Sequence, residues 1–207
     1  MELSIIQNLK NKIQHSLPGI DAQYKMAHAV RQQKPRVPAD ARIACTLILV
    51  YPKNNEWHLV LIQRTSSNNP DDRHSGQVSL PGGQQEPIDI SLSDTALREA
   101  HEEVGIDRSN VSLLGSLTEL YIPVSNFIVH PFVAYTEDRP SFKLQVSEVK
   151  SIIEVPLSLL QDGKTMQKTN IRITEKLILQ NVPFYSVGGH VVWGATAMML
   201  SEFLELM

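Results

Sequence analysis

The sequence contains little that would indicate a secreted, membrane-spanning or nucleic-acid-binding protein. Its one cysteine, Cys45, excludes an internal disulfide. No apolar run approaches the roughly 18 residues that a membrane-spanning helix needs, and no charged segment leads into an apolar one at the N-terminus. The 19 lysines and arginines are outnumbered by 22 acidic residues, so the chain lacks the excess of basic residues that is typical of nucleic-acid-binding proteins. We therefore expect a cytoplasmic protein with no membrane or nucleic-acid partner.

The chain does have enough apolar residues to bury one core. Of its 207 residues 42 % are hydrophobic and 20 % are charged, as in a single globular domain. Apolar residues recur at helical spacing over 3–16, and a connector with two prolines follows at 32–40. We interpret residues 1–42 as an N-terminal helical extension that packs on one domain formed by 43–207.

Periodicity within the domain predicts an alternation of strands and helices. A turn signal at 52–55 joins the first two strands as a hairpin. Helices lie in the middle and at both ends of this order, which favours an α+β fold with a mixed sheet between helices. The predicted strands are 43–51, 57–63, 111–120, 127–135, 149–156 and 171–179, and helices are predicted at 157–160 and 194–207.

A central helix near residues 93–104 has one apolar stripe. Ser93 or Asp94 can cap its start, and Gly105 can end it. The stripe residues, spaced three and four apart, are Ala96, Leu97, Ala100 and Val104.

Three glutamates of this helix lie away from the stripe. Glu99 and Glu103 share one face, and Glu102 flanks them. Like charges at this spacing repel by about a few tenths of a kcal/mol per pair, which Arg98 offsets in part. A hard divalent cation, Mg²⁺ or Mn²⁺, would offset more. Taken alone, the R-E-x-x-E-E fragment is more often a solvated helix face.

The glycine pair before the helix, which we interpret as a loop leading into it, changes that balance. Gly82 and Gly83 follow Pro81 and allow the backbone to approach a ligand and present N–H groups to an anion. Backbone donors on one side and carboxylates with metal on the other suit a bound diphosphate. Its hydrolysis would use charge neutralisation and a metal-activated water.

The pattern G-G-x(14)-R-E-x-x-E-E-x-G-I resembles the Nudix box, the signature of hydrolases that cleave a nucleoside diphosphate linked to another moiety. The usual box has a glutamate eight residues before the arginine; that position is Ile90 here, and Asp89 is its expected substitute. The separation from Gly83 to Arg98 is also one residue longer than in the usual box. This departure, together with T-A-L-R-E-A-x-E-E, resembles the coenzyme A pyrophosphatase branch. The W-G-A-T-A ending at 193–197 resembles that branch too. Before the box Arg64 fits its pattern, and Arg73 is the nearest counterpart of its second arginine.

The resemblance implies a Nudix-type α/β/α sandwich with a mixed sheet and a metal-dependent pyrophosphohydrolase. Glu99 and Glu103, with Glu102 assisting, would hold Mg²⁺ or Mn²⁺. Arg98 would fix the helix by pairing with a carboxylate. The general base would be Glu148 or one of the box glutamates, because Nudix enzymes take this base from different places.

By resemblance the substrate is coenzyme A or an acyl-CoA, cut to 3′,5′-ADP and the 4′-phosphopantetheine portion. Arg64 and Arg73 are the expected phosphate contacts, since planar guanidinium groups suit phosphate, and Gly82 and Gly83 would contact substrate through the backbone. The alternatives are hydrolysis of ADP-ribose or another nucleoside diphosphate derivative, and a non-catalytic nucleotide-binding sensor. The intact glutamate set argues against the sensor. A homodimer through either terminal helix is possible.

Overall fold

The computed structural model describes residues 4–31, 35–66, 76–174 and 176–207. Short 3₁₀ turns lie at Ala29–Arg31 and Arg108–Asn110. The helices are α1 (Ser4–His15), α2 (Gly19–Tyr24), α3 (Leu92–Val104), α4 (Leu157–Gln161) and α5 (Gly194–Leu206). The strands are β1 (Arg42–Lys53), β2 (Glu56–Arg64), β3 (Val78–Ser79), β4 (Gly82–Gln84), β5 (Ser112–Ser116), β6 (Leu120–Ile122), β7 (Phe127–Tyr135), β8 (Val149–Pro156), β9 (Met166–Arg172), β10 (Ile178–Val187) and β11 (His190–Trp193).

Eight of these strands form one mixed sheet. Its main order is β3-β2-β1-β7-β5, with β4 paired to β1, β6 to β7 and β8 to β2. The β1–β7 pair is parallel and the other pairs are antiparallel. The predicted β1–β2 hairpin is confirmed: Asn54 and Asn55 have φ of 51° and 63°, the left-handed pair that a tight hairpin turn requires. Strands β9, β10 and β11 form a second, antiparallel sheet.

Helices cover both faces of the large sheet because β1 is apolar on both sides. Leu47 and Leu49 pack with the α3 stripe in one core. Ile48 and Val50 face the other way and pack with Phe203 of α5 in a second core. The alternation along one strand thus fills two separate cores. The predicted α+β architecture, a mixed sheet between helices, is confirmed.

Two predicted strands differ from the structure. The segment 111–120 forms β5 and then β6, because the chain leaves the ladder between them and the Thr118 N–H and hydroxyl bind Glu202. The predicted strand 171–179 is wrong: it spans the turn between β9 and β10, where the Ile173 N–H bonds to the Leu177 carbonyl. The alternation of apolar residues continues through this turn, which contains neither glycine nor proline to mark it.

The N-terminal helices pack on the rest of the chain. Helix α1 buries Ile6, Leu9 and Ile13, as its spacing predicted. Helix α2 is tied to α5 through the fully buried Glu202 carboxylate, which accepts from Gln23 Nε2 at 2.7 Å and from the Gly19 N–H at 3.2 Å. The division at residue 42 stays a prediction. In the described ranges every helix is too short or too polar to cross a membrane.

Candidate active site

The glycine pair lies in a strand, where the sequence predicted a loop. Gly82–Gln84 forms β4, and Gly82 and Gly83 pair with Thr46 and Cys45 of β1. Any side chain at Gly82 would place its Cβ 2.3 Å from the Cys45 carbonyl oxygen. At Gly83 the Cβ would lie 2.5 Å from the Glu99 carboxyl group. Glycine is therefore needed at 82 so that β4 can lie against β1, and at 83 so that Glu99 of α3 can approach the strand.

The Gly82 N–H is occupied by a side chain of α3. It donates to Glu103 Oε2 at 2.8 Å. The pairs on either side of Cys45 and Gly83 are hydrogen-bonded, at Ile43–Gln85 and Leu47–Pro81, so alternation along an antiparallel ladder turns the Gly82 N–H away from β1. A direct contact between these two glycines and substrate stays a prediction.

Helix α3 begins and ends as capping chemistry requires. Its N-cap is Ser91, whose side chain accepts the Asp94 N–H at 3.1 Å, so the predicted caps Ser93 and Asp94 are wrong by two and three residues. Gly105 has φ 70° and its N–H bonds to the His101 carbonyl, which confirms the predicted C-terminal stop.

The Arg98 guanidinium connects this helix to the segment before it. Its Nε and Nη2 donate to the two Asp89 oxygens at 2.8 and 3.0 Å. Nη2 also donates to the Gln84 carbonyl at 3.1 Å, and Nη1 lies 3.0 Å from Glu99 Oε1 and 3.0 Å from Glu102 Oε2. The five N–H donors of the group are matched by five contacts. Arg98 is thereby fixed between a strand, a loop and its own helix.

Asp89 is the carboxylate on which this arrangement depends. Its side chain is 1 % exposed and also accepts from the Thr95 hydroxyl at 2.9 Å and the Glu86 N–H at 2.8 Å. The bonds from Arg98 hold the pKa of Asp89 far below its ordinary value. Ile90, which occupies the usual glutamate position, is 95 % exposed. The extra residue in this loop therefore turns Asp89, not residue 90, toward Arg98.

The three helix glutamates differ in exposure more than the sequence predicted. Glu103 is buried, with a side chain 2 % exposed, although it was expected to lie away from the buried face. Burial raises its pKa to about 7, against the opposing effects of the Gly82 N–H and Arg64. Burial also raises the pKa of Glu99. The Glu102 side chain is 52 % exposed and turned outward. Glu99 and Glu103 thus form the inner pair and Glu102 the rim.

Two further predicted residues lie beside the inner pair. Arg64 ends β2, and its Nη1 lies 3.4 Å from Glu103 Oε1. Glu148 precedes β8, and its carbonyl accepts the Thr65 N–H at 2.8 Å. The Glu148 carboxylate is near enough to contribute to the raised pKa values of Glu99 and Glu103. Arg73 lies outside the described residues.

The carboxylates of this site outnumber its cations. Asp89, Glu99, Glu102, Glu103 and Glu148 face two guanidinium groups, those of Arg98 and Arg64. Within the part of the chain that the structure describes, no three acidic, histidine or cysteine side chains converge closely enough to hold a metal ion as they stand. The inner pair is instead engaged by Arg98, Arg64 and Gly82. The excess of partly buried negative charge and the all-oxygen donors nevertheless fit a hard divalent cation.

Two contributors to the site were not predicted from the sequence. The Gln84 carbonyl holds Arg98, and a backbone acceptor leaves no signature in residue type. The Thr95 hydroxyl holds Asp89 and belongs to the T-A-L-R-E motif, which was the available signal.

The segment that brings Glu148 to the site is anchored by Glu154. This carboxylate accepts from Arg139 Nε and Nη2 at 2.8 and 2.7 Å, from Lys53 at 3.1 Å and from the Tyr51 hydroxyl at 3.1 Å. The bonds from Arg139 lower the pKa of Glu154 to about 2. The Arg139–Glu154 contact therefore fixes the start of the segment from Arg139 to Glu148 against β8.

Replacing Glu154 by glutamine should lower the free energy of unfolding at pH 7 by about 1 kcal/mol, a value reduced for the half-exposed Arg139. Because the pKa of Glu154 is lowered on folding, its contribution is present above pH 4.5 and is lost as the pH falls toward 2. Urea unfolding of both proteins from pH 7 to pH 3 should show the difference shrinking. A difference that stays constant across this range would contradict the ion-pair account.

Alanine at Gly83 should lower kcat/KM by about 10²-fold with the fold retained. The added Cβ would displace the Glu99 carboxyl group, and misplacement by about 1 Å can have an effect of this size. Gly163→Ala is the matched control, because nothing lies within 4 Å of its added Cβ. Equal rates for both alanine variants, measured with the natural protein in the same assay, would show that Glu99 need not occupy its present position.

Comparison with known proteins agrees with this geometry. The family described as NUDIX domain matches residues 41–177. The Nudix hydrolase NudL of Photorhabdus laumondii is 34 % identical over 133 residues, covering 64 % of this chain and 69 % of that protein. The protein named Nudix hydrolase 15, mitochondrial, of Arabidopsis thaliana is 30 % identical over 164 residues, covering 77 % and 56 % of the two chains.

The matches do not span the whole length of these relatives. A second NudL, from Yersinia enterocolitica, is 46 % identical over 85 residues, which is 41 % of this chain and 43 % of that protein. Among solved structures, a MutT/nudix family protein from Enterococcus faecalis superposes with a TM-score of 0.52, at 15 % identity, over 93 % of this chain and 70 % of its own. That likeness supports the fold alone.

Proposed function

This chain belongs to the Nudix family, and we propose that it hydrolyses the pyrophosphate bond of coenzyme A or an acyl-CoA. The products would be 3′,5′-ADP and 4′-phosphopantetheine or its acyl form. The proposal of this substrate rests on the coenzyme A branch pattern, with Asp89 in place of the usual glutamate. The contacts of Asp89 with Arg98 and Thr95 support that alignment, because they give the substitute a defined partner.

The observation that carries the proposal is the convergence of acidic side chains at the sheet edge. Glu99 and Glu103 face β4, and Glu148 approaches them from the segment before β8. A folded protein gains nothing from gathering more carboxylates than cations at a partly buried site, since each buried carboxylate loses hydration. Such a cluster is best explained by a positively charged species that is bound during function.

Glu99 and Glu103, with Glu102 at the rim, would hold Mg²⁺ or Mn²⁺. When bound, such an ion neutralises the diphosphate charge and lowers the pKa of a water ligand. Protein donors engage both oxygens of Glu103 and Oε1 of Glu99. Loading the site therefore requires these carboxylates to exchange some protein contacts for the ion.

The remaining residues position the helix, the phosphate groups and a proton. Arg98 keeps α3 in register with β4 through Asp89 and the Gln84 carbonyl. Arg64, 31 % exposed, would turn from Glu103 to a phosphate oxygen when substrate arrives. Glu148 is exposed and beside the inner pair, so we assign it the removal of a proton from the attacking water.

Three broader expectations remain proposals of the same kind. They are a cytoplasmic location, an N-terminal helical extension at residues 1–42 that packs on the domain at 43–207, and binding of Arg73 to phosphate. A homodimer through a terminal helix also stays a proposal.

The test is a comparison of kcat/KM for CoA, an acyl-CoA, NADH, ADP-ribose and deoxynucleoside triphosphates with Mg²⁺ or Mn²⁺, with products identified by mass spectrometry. Release of 3′,5′-ADP from CoA or acyl-CoA as the most efficient reaction is the expected result. Preference for another compound would support pyrophosphohydrolase activity but reject coenzyme A as the substrate. Binding of nucleotide without any turnover would favour the sensor.

A further inference from the structure

The acidic centre, formed by Glu99, Glu103 and Glu148, lies at one end of the large sheet, where strands on both sides of it begin or end. Antiparallel β2 ends at Arg64 and antiparallel β8 begins at Val149 on one side. Strand β1 begins at Arg42, and parallel β7 begins at Phe127, on the other side. Strand β4 pairs with β1 close to its start. A substrate held at β4 can therefore extend toward either flank.

The flank formed by β1 and β7 carries an arginine stacked on an aromatic ring. The Arg42 guanidinium carbon lies 4.0 Å from the centre of the Phe127 ring. Arg42 and Phe127 are register partners in the parallel pair, so the two backbones hold the stack together. This geometry is a cation–π contact, and a planar guanidinium group can also stack on a second planar group.

The same guanidinium is oriented by two further contacts. Nη2 donates to the Ser125 carbonyl at 2.9 Å, and Nη1 donates to Gln84 Oε1 at 3.4 Å. Arg42 is nonetheless exposed, and among the described residues no carboxylate lies within ion-pair distance of it. A preorganised, exposed and uncompensated guanidinium is typical of a recognition site rather than of a structural anchor.

Gln84 connects the Arg42–Phe127 stack, which we call the platform, to the acidic centre. Its backbone carbonyl binds Arg98, while its side chain binds Arg42. Along β1 the distance from Arg42 to Cys45, the partner of Gly83, is three residues, or about 10 Å at about 3.3 Å per residue. Arg42 shares the parity of Ala44 on β1 and, with Phe127, lies on the α5 face of the sheet, whereas α3 covers the other face. An extended nucleotide with its diphosphate at the inner glutamates would therefore pass the end of the sheet beside Gln84 to bring its base to this stack.

We propose that the Arg42–Phe127 stack, oriented by Gln84 and Ser125, binds the planar base of the nucleotide half of the substrate. This inference rests on the proposed function for the position of the diphosphate. It also assigns a direction: the nucleoside lies on the β1–β7 flank, and the other half of the substrate lies on the flank of Arg64 and Glu148. Stacking on arginine and an aromatic ring tolerates different bases, so it selects for a base without reading its edge.

The test is calorimetric titration of two probes, 3′,5′-ADP and base-free inorganic pyrophosphate, in Mg²⁺ buffer. Arg42→Ala and Phe127→Leu should each weaken 3′,5′-ADP binding about tenfold or more, and leave pyrophosphate binding within about twofold. Arg42→Lys should be as weak as Arg42→Ala, since lysine keeps the charge but lacks the plane. The control is Arg172→Ala, an exposed arginine of the other sheet.

Wild-type affinity in Arg42→Lys, equal losses for both probes, or no binding of 3′,5′-ADP by the natural protein would each overturn the stacking role. Thermal unfolding of each variant identifies losses that come from misfolding, and Phe127→Leu tests the stack if Arg42→Ala does not fold. Turnover of CoA by the natural protein is scored separately. Arg42-dependent binding of 3′,5′-ADP without CoA turnover would retain the platform and reject the proposed function.

Discussion

Glutamine at Glu103 is expected to reduce turnover of the substrate by about 10³-fold or more. The amide has the same shape and can still accept the Gly82 N–H through its carbonyl oxygen, but it lacks the charge that would hold a divalent cation. The free energy of unfolding should change by no more than about 1 kcal/mol, because a buried carboxylate is replaced by a neutral group that keeps its hydrogen bond. Steady-state kinetics and urea unfolding measure the two effects.

Glu102→Gln is the matched control on the same helix. Glu102 is half exposed and bonds to Arg98, so its amide should reduce turnover by less than about tenfold. Equal losses of turnover in Glu102→Gln and Glu103→Gln would mean that the exposed and the buried glutamate contribute equally to activity. Full activity in Glu103→Gln would remove Glu103 from the metal site altogether.

Lysine at Arg98 is expected to reduce turnover by about 10²-fold and to lower the free energy of unfolding by about 2–4 kcal/mol. Lysine presents a point charge and cannot reach Asp89, the Gln84 carbonyl and Glu99 at once. Asp89 would lose its paired bonds while remaining buried. Helix α3 would then shift relative to β4, and Glu99 and Glu103 would move with it.

Asp89→Asn tests whether the loss in Arg98→Lys comes from the broken contact with Asp89 or from the arginine itself. It breaks the same contact from the other side, so it should reproduce most of the Arg98→Lys loss in both turnover and stability. The double variant should then lose little more than either single variant. Additive losses would indicate that Arg98 and Asp89 act independently.

Much of α3 was predictable because it follows local rules. Its stop at Gly105, the shared face of Glu99 and Glu103, and the pairing of Arg98 with a carboxylate depend on helical periodicity and capping within one segment. The ends of β7 and β8 were also predicted to the residue, since each is a run of strand-forming residues between clear breaks.

The burial of Glu103 was not predictable from its own helix. It depends on Gly82, 21 residues earlier, and on Arg64 in a different strand. The predicted glycine loop became β4 because the β1–β2 pairing ends at Val50 and leaves the start of β1 to pair with Gly82–Gln84. Both features depend on contacts between distant segments, and neither produces a periodic pattern in the sequence.

The departure of this chain from the usual box has a structural reason. The loop from Gln84 to Ser91 places Asp89 inward, and its carboxylate accepts bonds from Glu86 and Thr95 as well as from Arg98. The lengthened spacing therefore changes which residue holds the arginine without removing the contact.

The central claim is that Glu99 and Glu103 together bind a divalent cation, and a Mn²⁺ titration followed by electron paramagnetic resonance of the free ion tests it most directly. The natural protein should bind Mn²⁺, and Glu99→Gln and Glu103→Gln should each weaken binding by at least about tenfold, whereas Glu56→Gln, on the far end of β2, should not change it. Mn²⁺ binding that is the same in all four proteins would contradict the account.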